Sequence, residues 1–162
     1  MPLNGESLSM EYSDNILHAA YFKHAYTHCQ AYSNCDTQCS ALILDSRSGI
    51  VLATENIQGE NWYCCSAIQN LFYRAANRGV SCTGMDMYCP APPTQEDVIA
   101  IRECGIRSLT FHKEYANLLG EDWSKEGTLE VLEANDVLVR CWSGKVTKKN
   151  IEVKVNGEIF HP

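Results

Sequence analysis

The pattern of apolar and polar positions is most regular in residues 64–79, where apolar side chains recur at intervals of three and four. That spacing places them on one face of a helix, which indicates that this face is buried. Ser66 suits the N-cap of the helix, because its hydroxyl can accept a hydrogen bond from a first-turn amide. Gly79 suits the other end, because glycine enters the left-handed conformation without a steric penalty. The residues of the predicted apolar face are Ala67, Ile68, Leu71, Phe72, Ala75 and Ala76.

Five shorter apolar segments predict the strands of a sheet. The first two flank a polar turn at residues 45–49, which predicts an antiparallel hairpin. A predicted helix lies between the third and fourth segments. Thr94 caps this helix, which continues to Cys104, and the order strand, helix, strand predicts a parallel crossover. Glu96 and Asp97 lie in the first turn of that helix, where its dipole favours acidic side chains. The predicted strands are residues 41–44, 49–54, 85–89, 106–112 and 137–142.

Two further helices are predicted from apolar periodicity. One covers residues 14–32 and begins after Ser13, and the other covers residues 123–134 and begins after Asp122. Pro, Gly and Ser residues precede the first helix with little periodicity, which indicates an arm. The predicted divisions of the chain are an N-terminal arm at residues 1–12, a main domain at residues 13–143 and a C-terminal extension at residues 144–162.

The C-terminal extension alternates between apolar and polar residues over residues 151–160. The dipeptide Asn156-Gly157 interrupts this alternation and suits a type I′ turn, so the pattern predicts a β-hairpin. The apolar side of the hairpin either packs on its own domain, which we favour, or extends a sheet across a subunit boundary. The residues of that side are Ile151, Val153, Val155 and Ile159.

The composition limits the classes of function. A chain of 162 residues with 45% hydrophobic content is long enough for one domain with a substantial core. The net charge of −7 and the isoelectric point near 5.2 argue against direct binding of DNA or RNA. No signal-peptide pattern opens the chain, and no run approaches the ~20 apolar residues that span a bilayer. We therefore expect a cytoplasmic protein that does not contact a membrane.

The cysteines suggest no disulfide framework, because their number is odd and no export signal is present. No two of them have the C-x2-C spacing of a zinc knuckle, so we interpret them as reduced, buried hydrophobic residues. One alternative is a metal bound by His24, His28 and Cys29, which lie within two turns of the first helix. The nine cysteines are Cys29, Cys35, Cys39, Cys64, Cys65, Cys82, Cys89, Cys104 and Cys141.

Several segments of the chain, in this order, resemble the cytidine deaminase superfamily, in particular its deoxycytidylate and tRNA adenosine deaminase branches. The matching segments are residues 33–35, 41–44, 50–54, Asn56, 75–79, 87–88, 104–111, 122–134 and 137–140. The resemblance covers roughly residues 14–143. It implies a three-layer α/β/α sandwich around a five-stranded mixed sheet, and Asn56 resembles the asparagine that contacts the substrate sugar. The branch is frequent in phages, which hints at a phage source.

Active members of that superfamily carry a His-x-Glu or Cys-x-Glu motif and a Pro-Cys-x-x-Cys motif. Three of these residues hold a zinc ion, and the glutamate moves protons during the reaction. The resemblance aligns the first motif with Ser66 and Ile68, and the second with Pro93, Thr94 and Asp97. Neutral hydroxyls do not replace thiolate or imidazole ligands, and Ile68 cannot transfer a proton. We therefore predict no catalytic residue, no bound metal and no cofactor.

The alternative to the absence of a metal site is a metal centre displaced from the aligned positions. If the alignment is shifted by one residue, Cys65 takes the ligand position but Ala67 takes that of the glutamate. A set made of Cys64 or Cys65 with Cys89 and Asp97 is the remaining combination, and no ligand spacing supports it.

These observations lead to three hypotheses. We favour a catalytically inactive deaminase-fold protein, or pseudoenzyme, that serves as a binding, regulatory or assembly subunit and forms a homo-oligomer or binds a protein partner. The second hypothesis is a sensor that binds a nucleotide or another small molecule without turnover. The third is a cytidine or deoxycytidylate deaminase with a displaced metal. The candidate residues of a ligand pocket are Asn56, Ser66, Tyr88, Thr94 and Asp97.

Overall fold

The computed structural model describes residues 5–59, 64–120, 127–146 and 150–162, with side chains described from Asn15 onward. Within these ranges, no helix is long and apolar enough to cross a membrane. The helices are α1 (Gly5–Tyr32), α2 (Ala67–Arg78), α3 (Gln95–Glu103), α4 (Lys113–Leu118) and α5 (Thr128–Ala134). The strands are β1 (Ser40–Asp45), β2 (Gly49–Glu55), β3 (Ile57–Gln58), β4 (Cys64–Cys65), β5 (Asp86–Tyr88), β6 (Ser108–His112), β7 (Leu138–Trp142), β8 (Val153–Val155) and β9 (Glu158–Phe160).

Among the described strands, five form one mixed sheet in the order β2-β1-β5-β6-β7. Strand β1 pairs antiparallel with β2 and with β5, whereas β5, β6 and β7 run parallel. The residues from Ser40 to Leu44 are all buried, because helices cover both faces of this interior strand. Helix α1 packs on one face of the sheet, and α2 and α3 pack on the other. The predicted α/β fold, a three-layer sandwich around a five-stranded mixed sheet, is confirmed.

The predicted ends of α2 are confirmed. Ser66 is its N-cap, and the Ser66 Oγ accepts a hydrogen bond of 3.0 Å from the amide of Gln69. Gly79 ends the helix in the left-handed conformation, with φ at +68°. Ile68 and Leu71 are buried on the face that packs against the sheet.

Thr94 caps α3 as predicted, and Asp97 completes a capping box with it. The Thr94 Oγ1 accepts a hydrogen bond of 3.2 Å from the amide of Asp97. The Asp97 Oδ2 in turn accepts a hydrogen bond of 3.0 Å from the amide of Thr94. Two amides that the helix itself leaves unpaired are thereby satisfied, which fixes where α3 begins.

One predicted helix start is wrong. Helix α1 begins at Gly5, so residues 5–12, which we expected to form an arm, are helical and Ser13 is not an N-cap. Glutamate, leucine and methionine between the glycine and serine residues of this segment favour a helix. Of the predicted helix at residues 123–134, the described part begins at Thr128 as α5, directly after Gly127 with its φ of +103°. Residues 1–4, the predicted N-cap Asp122 and residues 123–126 lie outside the described residues.

The C-terminal hairpin forms as predicted, with φ values of +53° at Asn156 and +79° at Gly157, as a type I′ turn requires. Val153 and Val155 are buried in the core, so the hairpin packs on its own domain. Ile159, which we predicted on the same side, is 54% exposed. It lies opposite Lys154 in the two-stranded ladder, and opposed residues share a face, so this pair points outward.

The hairpin also holds the loop at residues 33–39. The amide of Gln38 donates a hydrogen bond of 2.7 Å to the carbonyl of Lys154, and the amide of Gly157 donates one of 2.9 Å to the carbonyl of Asp36. From α4, the Tyr115 hydroxyl donates a hydrogen bond of 2.6 Å to the carbonyl of Gln38. The loop that leads into β1 is therefore fixed from two sides.

Candidate functional site

The N-terminal ends of α2 and α3 meet through one hydrogen bond. The Ser66 Oγ donates to the Asp97 Oδ1 at 2.7 Å, while it still accepts the hydrogen bond that caps α2. Asp97 is 3% exposed and also holds the amide of Thr94. The structure therefore brings together Ser66, Thr94 and Asp97, the three residues that the resemblance aligns with metal ligands.

A cavity of about 210 Å³ lies beside these helix ends. Its walls come from the loop before β1, from the first turn of α2, from the segment between β5 and α3, and from α4. The polar residues that line it are Thr37, Asn56, Ser66, Thr94, Asp97 and Tyr115. Two thiols, Cys39 and Cys89, line it as well. Four of the five residues that we named as candidates for a ligand pocket therefore line this cavity: Asn56, Ser66, Thr94 and Asp97.

The residues at the helix ends do not fit a zinc ion. The hydroxyls of Ser66 and Thr94 are neutral and accept capping hydrogen bonds, and Asp97 is the one carboxylate among the three. Ile68, which the resemblance aligns with the proton-transferring glutamate, is 2% exposed and packs in the core. Across the described residues, no group of three or more His, Cys, Asp or Glu side chains is arranged to hold a metal ion. Zinc sites in proteins use three or four thiolate, imidazole or carboxylate ligands, and these positions supply one carboxylate.

The alternative metal sets are not assembled either. His24 is exposed while Cys29 is fully buried, so these two side chains point in different directions from α1. The His28 Nε2 is hydrogen-bonded at 2.8 Å to a carboxylate oxygen of Glu55. In the second set, Cys64 is exposed, whereas Cys65 and Cys89 are buried. Neither Cys64 nor Cys65 forms a metal-binding group with Cys89 and Asp97 in the described part of the chain.

Asn56 serves mainly to hold the loop before β1. Its Oδ1 accepts hydrogen bonds of 2.6 Å from the Ser33 hydroxyl and 2.9 Å from the amide of Cys39. Its Nδ2 donates a hydrogen bond of 2.7 Å to the carbonyl of Thr37. The amide oxygen has two lone pairs, and both accept hydrogen bonds here. The amide nitrogen has two N–H groups, so Asn56 has one N–H group left to donate to a ligand.

Tyr88 does not line the cavity, contrary to the expectation from the sequence. Alternate residues of a strand face opposite sides, and Cys89, not Tyr88, faces the cavity. The Tyr88 hydroxyl is hydrogen-bonded at 2.7 Å to the His18 Nδ1, and its ring packs against Tyr21 and Phe22 of α1. Burial raises the pKa of Tyr88 to about 12, so its hydroxyl stays neutral at physiological pH.

The cavity also contains groups that the sequence did not indicate. The Sγ atoms of Cys39 and Cys89 are 3.6 Å apart, although the two cysteines are distant in sequence. Their proximity depends on the pairing of β1 with β5, because Cys39 directly precedes β1 and Cys89 directly follows β5. A correct prediction of that strand pair is the one signal from which this thiol pair could have been found.

Comparison with known proteins identifies the fold. No protein-family model and no curated protein sequence matches this chain. Among solved structures, the dCMP deaminase of the cyanophage S-TIM5 in its apo form is similar, with a TM-score of 0.62 and 16% identity over 78% of this chain and 97% of that one. The same enzyme in complex with dCMP and dUMP gives a TM-score of 0.60 and 16% identity over 87% of this chain and 100% of that one.

A bifunctional enzyme of Thermotoga maritima is also similar. This protein, a diaminohydroxyphosphoribosylaminopyrimidine deaminase and 5-amino-6-(5-phosphoribosylamino)uracil reductase, gives a TM-score of 0.58 and 12% identity over 78% of this chain and 36% of that one. At such low identity these similarities establish the fold alone. The chain has the fold of the cytidine and deoxycytidylate deaminases, as the sequence segments predicted.

Proposed function

We propose that this chain is a catalytically inactive deaminase-fold protein, a pseudoenzyme that serves as a binding, regulatory or assembly subunit. The observation that supports the proposal is the hydrogen bond of 2.7 Å between the Ser66 Oγ and the Asp97 Oδ1. It joins two helix N-termini at the place where an active member of the fold would hold its metal and activate water. Side chains with a structural role take the place of reactive groups there.

Hydrolytic deamination requires an activated water and a group that transfers protons. Both oxygens of Asp97 already accept hydrogen bonds, from the Ser66 hydroxyl and from the amide of Thr94. Ile68 carries no titratable group at the position where the superfamily has a glutamate. The proposal therefore assigns no catalytic residue to this chain.

Exposed apolar side chains on the outer helices favour a protein-binding or self-assembly role. Tyr73 of α2 and Ile99 of α3 are 64% and 55% exposed, and both belong to helices that cover the same face of the sheet. A contact surface needs a contiguous apolar patch, and Tyr73 and Ile99 are the positions on α2 and α3 at which we propose it. The net charge of −7 favours a protein partner over a nucleic acid. The proposed location is the cytoplasm, and the cyanophage origin of the similar dCMP deaminase is compatible with a phage source.

The cavity favours a second candidate function, which is binding of a nucleotide or another small molecule without turnover. Its volume of about 210 Å³ is below the ~300–1,000 Å³ of typical ligand sites, so it suits a single base better than a whole nucleotide. The remaining N–H group of Asn56 is available to donate a hydrogen bond to such a ligand. The Thr37 hydroxyl is already hydrogen-bonded to Asn156. The dCMP deaminase with a similar fold has been solved with dCMP and dUMP.

Light scattering and thermal denaturation of the purified chain distinguish the two candidates. A stable oligomer that Tyr73→Ser or Ile99→Ser dissociates, with no thermal shift from dCMP, dUMP, CMP or dCTP, supports the assembly role. Leu118→Ser is the matched control, since Leu118 is 46% exposed but lies on α4. A monomer that one of these nucleotides stabilises by several degrees supports the sensor instead. Release of ammonia from any of them would overturn both candidates in favour of a deaminase.

A further inference from the structure

Two thiols in the cavity wall have no part in the proposed function. The Sγ atoms of Cys39 and Cys89 are 3.6 Å apart, within the range of a hydrogen bond between sulfur atoms. Cys39 is 7% exposed and Cys89 is 2% exposed, yet both line the cavity of about 210 Å³. They are shielded from bulk solvent but face a space that a small reagent can enter.

The pair is held by elements that cannot easily separate. Strands β1 and β5 are neighbours at the centre of the sheet, and Cys39 and Cys89 lie at their adjoining ends. The amide of Cys39 donates to the Asn56 side chain, and the amide of Cys89 donates to the carbonyl of Thr110 at 3.1 Å. Both cysteines therefore have a fixed backbone, so the proximity of their sulfur atoms is a property of the fold.

The two thiols are also chemically unequal. The hydrogen bond from the Cys89 thiol lowers the pKa of Cys39, although burial opposes this effect. The same hydrogen bond, together with burial, raises the pKa of Cys89. Cys39 is consequently the better nucleophile, since the thiolate is the reactive form, and Cys89 is the thiol that retains its proton.

We propose that Cys39 and Cys89 form a redox-active dithiol that a peroxide converts into a disulfide in the wall of the cavity. In the first step the Cys39 thiolate attacks one oxygen of hydrogen peroxide, the O–O bond breaks, and the departing hydroxide takes up a proton to give water. Cys39 is then a sulfenic acid. The Cys89 sulfur attacks it, the S–S bond forms, and hydroxide leaves with the Cys89 proton as a second water. Two thiols are oxidised and one peroxide is reduced.

Geometry limits the movement that the second step requires. An S–S bond measures about 2.05 Å, so the two sulfur atoms must approach each other by roughly 1.5 Å. Rotation of the two side chains into the cavity can supply this movement while the strands stay paired. The disulfide would tie the loop before β1 to the segment after β5, and both of these line the cavity. Oxidation is therefore expected to change the shape of the cavity, whichever ligand or partner it serves.

Disulfide mapping tests the proposal on the full-length chain. The reduced protein is treated with one equivalent of hydrogen peroxide, its free thiols are alkylated under native conditions, and its peptides are analysed by mass spectrometry. We expect a Cys39–Cys89 linked peptide with the loss of two hydrogen atoms, and dithiothreitol reverses it. A map in which other cysteines are linked, while Cys39 and Cys89 stay in the thiol form and are alkylated after unfolding, would overturn the proposal.

Single substitutions separate the roles of the two residues. In Cys89→Ser, the Cys39 sulfenic acid has no resolving partner and is trapped by dimedone, whereas Cys39→Ser gives no dimedone adduct at Cys89. The control is Cys64→Ser, which removes an exposed thiol and leaves the Cys39–Cys89 link intact. Equal dimedone labelling of Cys39 and Cys89 in the two variants would contradict the assignment. If a variant fails to fold, the peptide map of the unmodified chain still decides the matter.

Discussion

The Ser66 hydroxyl donates a hydrogen bond of 2.7 Å to the Asp97 carboxylate and thereby joins the N-terminal ends of α2 and α3. Ser66 caps the first helix, and Asp97 closes the capping box of the second. The resemblance aligns these helix ends with the motifs of a deaminase site. In this chain Ser66 and Asp97 stabilise the two helix ends. Substitution of either residue is therefore expected to lower the free energy of unfolding.

Replacement of Asp97 by alanine is expected to destabilise the chain substantially. It removes half of a capping box, worth about 1 kcal/mol, and a buried hydrogen bond to a carboxylate, worth about 1.5–3 kcal/mol. We expect the free energy of unfolding in urea to fall by about 2–4 kcal/mol. Glu96→Gln is the control, because Glu96 lies in the same turn but is exposed, and it should change stability by less than about 0.5 kcal/mol. Equal effects of both substitutions would contradict the structural role of Asp97.

Installing metal ligands at the three helix-end positions should create zinc affinity. The triple variant Ser66→His, Thr94→Cys and Asp97→Cys places one imidazole and two thiolates where the structure brings these residues together. We expect it to bind one zinc ion per folded chain and to be stabilised by zinc in thermal denaturation. The double variant Thr94→Cys and Asp97→Cys is the matched control and should bind zinc more weakly. A folded triple variant without zinc affinity would show that the positions do not converge on one point.

Stability is expected to decrease in acid partly through Glu55. Burial by itself would raise the pKa of Glu55, but hydrogen bonds from His28 and Arg74 outweigh burial and hold this pKa below its ordinary value of 4.5. Below about pH 4.5 the unfolded chain therefore binds a proton at Glu55 more readily than the folded chain does, so stability falls as the pH falls. Glu55→Gln should flatten this part of the pH profile, measured by urea unfolding from pH 6 to pH 3. Glu158→Gln changes an exposed carboxyl and should leave the slope as it is.

The C-terminal hairpin is expected to stabilise the main domain through one face only. Val153 is fully buried, so Val153→Ala should cost about 1–3 kcal/mol in the free energy of unfolding. Ile159 is 54% exposed, and Ile159→Ala should change stability by less than about 0.5 kcal/mol. Both values come from urea titrations followed by circular dichroism. A larger cost at Ile159 than at Val153 would indicate that the hairpin contacts a second subunit through its outer face.

Local signals in the sequence were sufficient to predict much of the fold. Ser66 and Gly79 define the ends of α2 because capping depends on a few neighbouring atoms, and the two valines of β8 follow from simple alternation. Helix α4 was missed because it has six residues and its N-cap, His112, makes no side-chain capping hydrogen bond. Without a cap or a full amphipathic repeat, so short a helix leaves little trace in the sequence.

The candidate site was predicted less completely, because its composition depends on contacts between distant segments. Ser66, Thr94 and Asp97 are hydrogen-bonded to one another at the ends of α2 and α3. They could be grouped in advance because the resemblance aligns both helix ends with one site. Tyr88 was misplaced because the face of a short strand cannot be read until its register is known. The contact between Cys39 and Cys89 required the pairing of β1 with β5, which no local pattern encodes.

The metal content of the purified chain tests the central claim most directly. The chain is expressed without a metal-binding tag in medium supplemented with zinc, dialysed against metal-free buffer and analysed by inductively coupled plasma mass spectrometry. The account predicts a zinc content close to zero per folded chain. One zinc ion held tightly per chain would contradict the proposed loss of the metal site and would support a zinc-dependent hydrolytic deaminase.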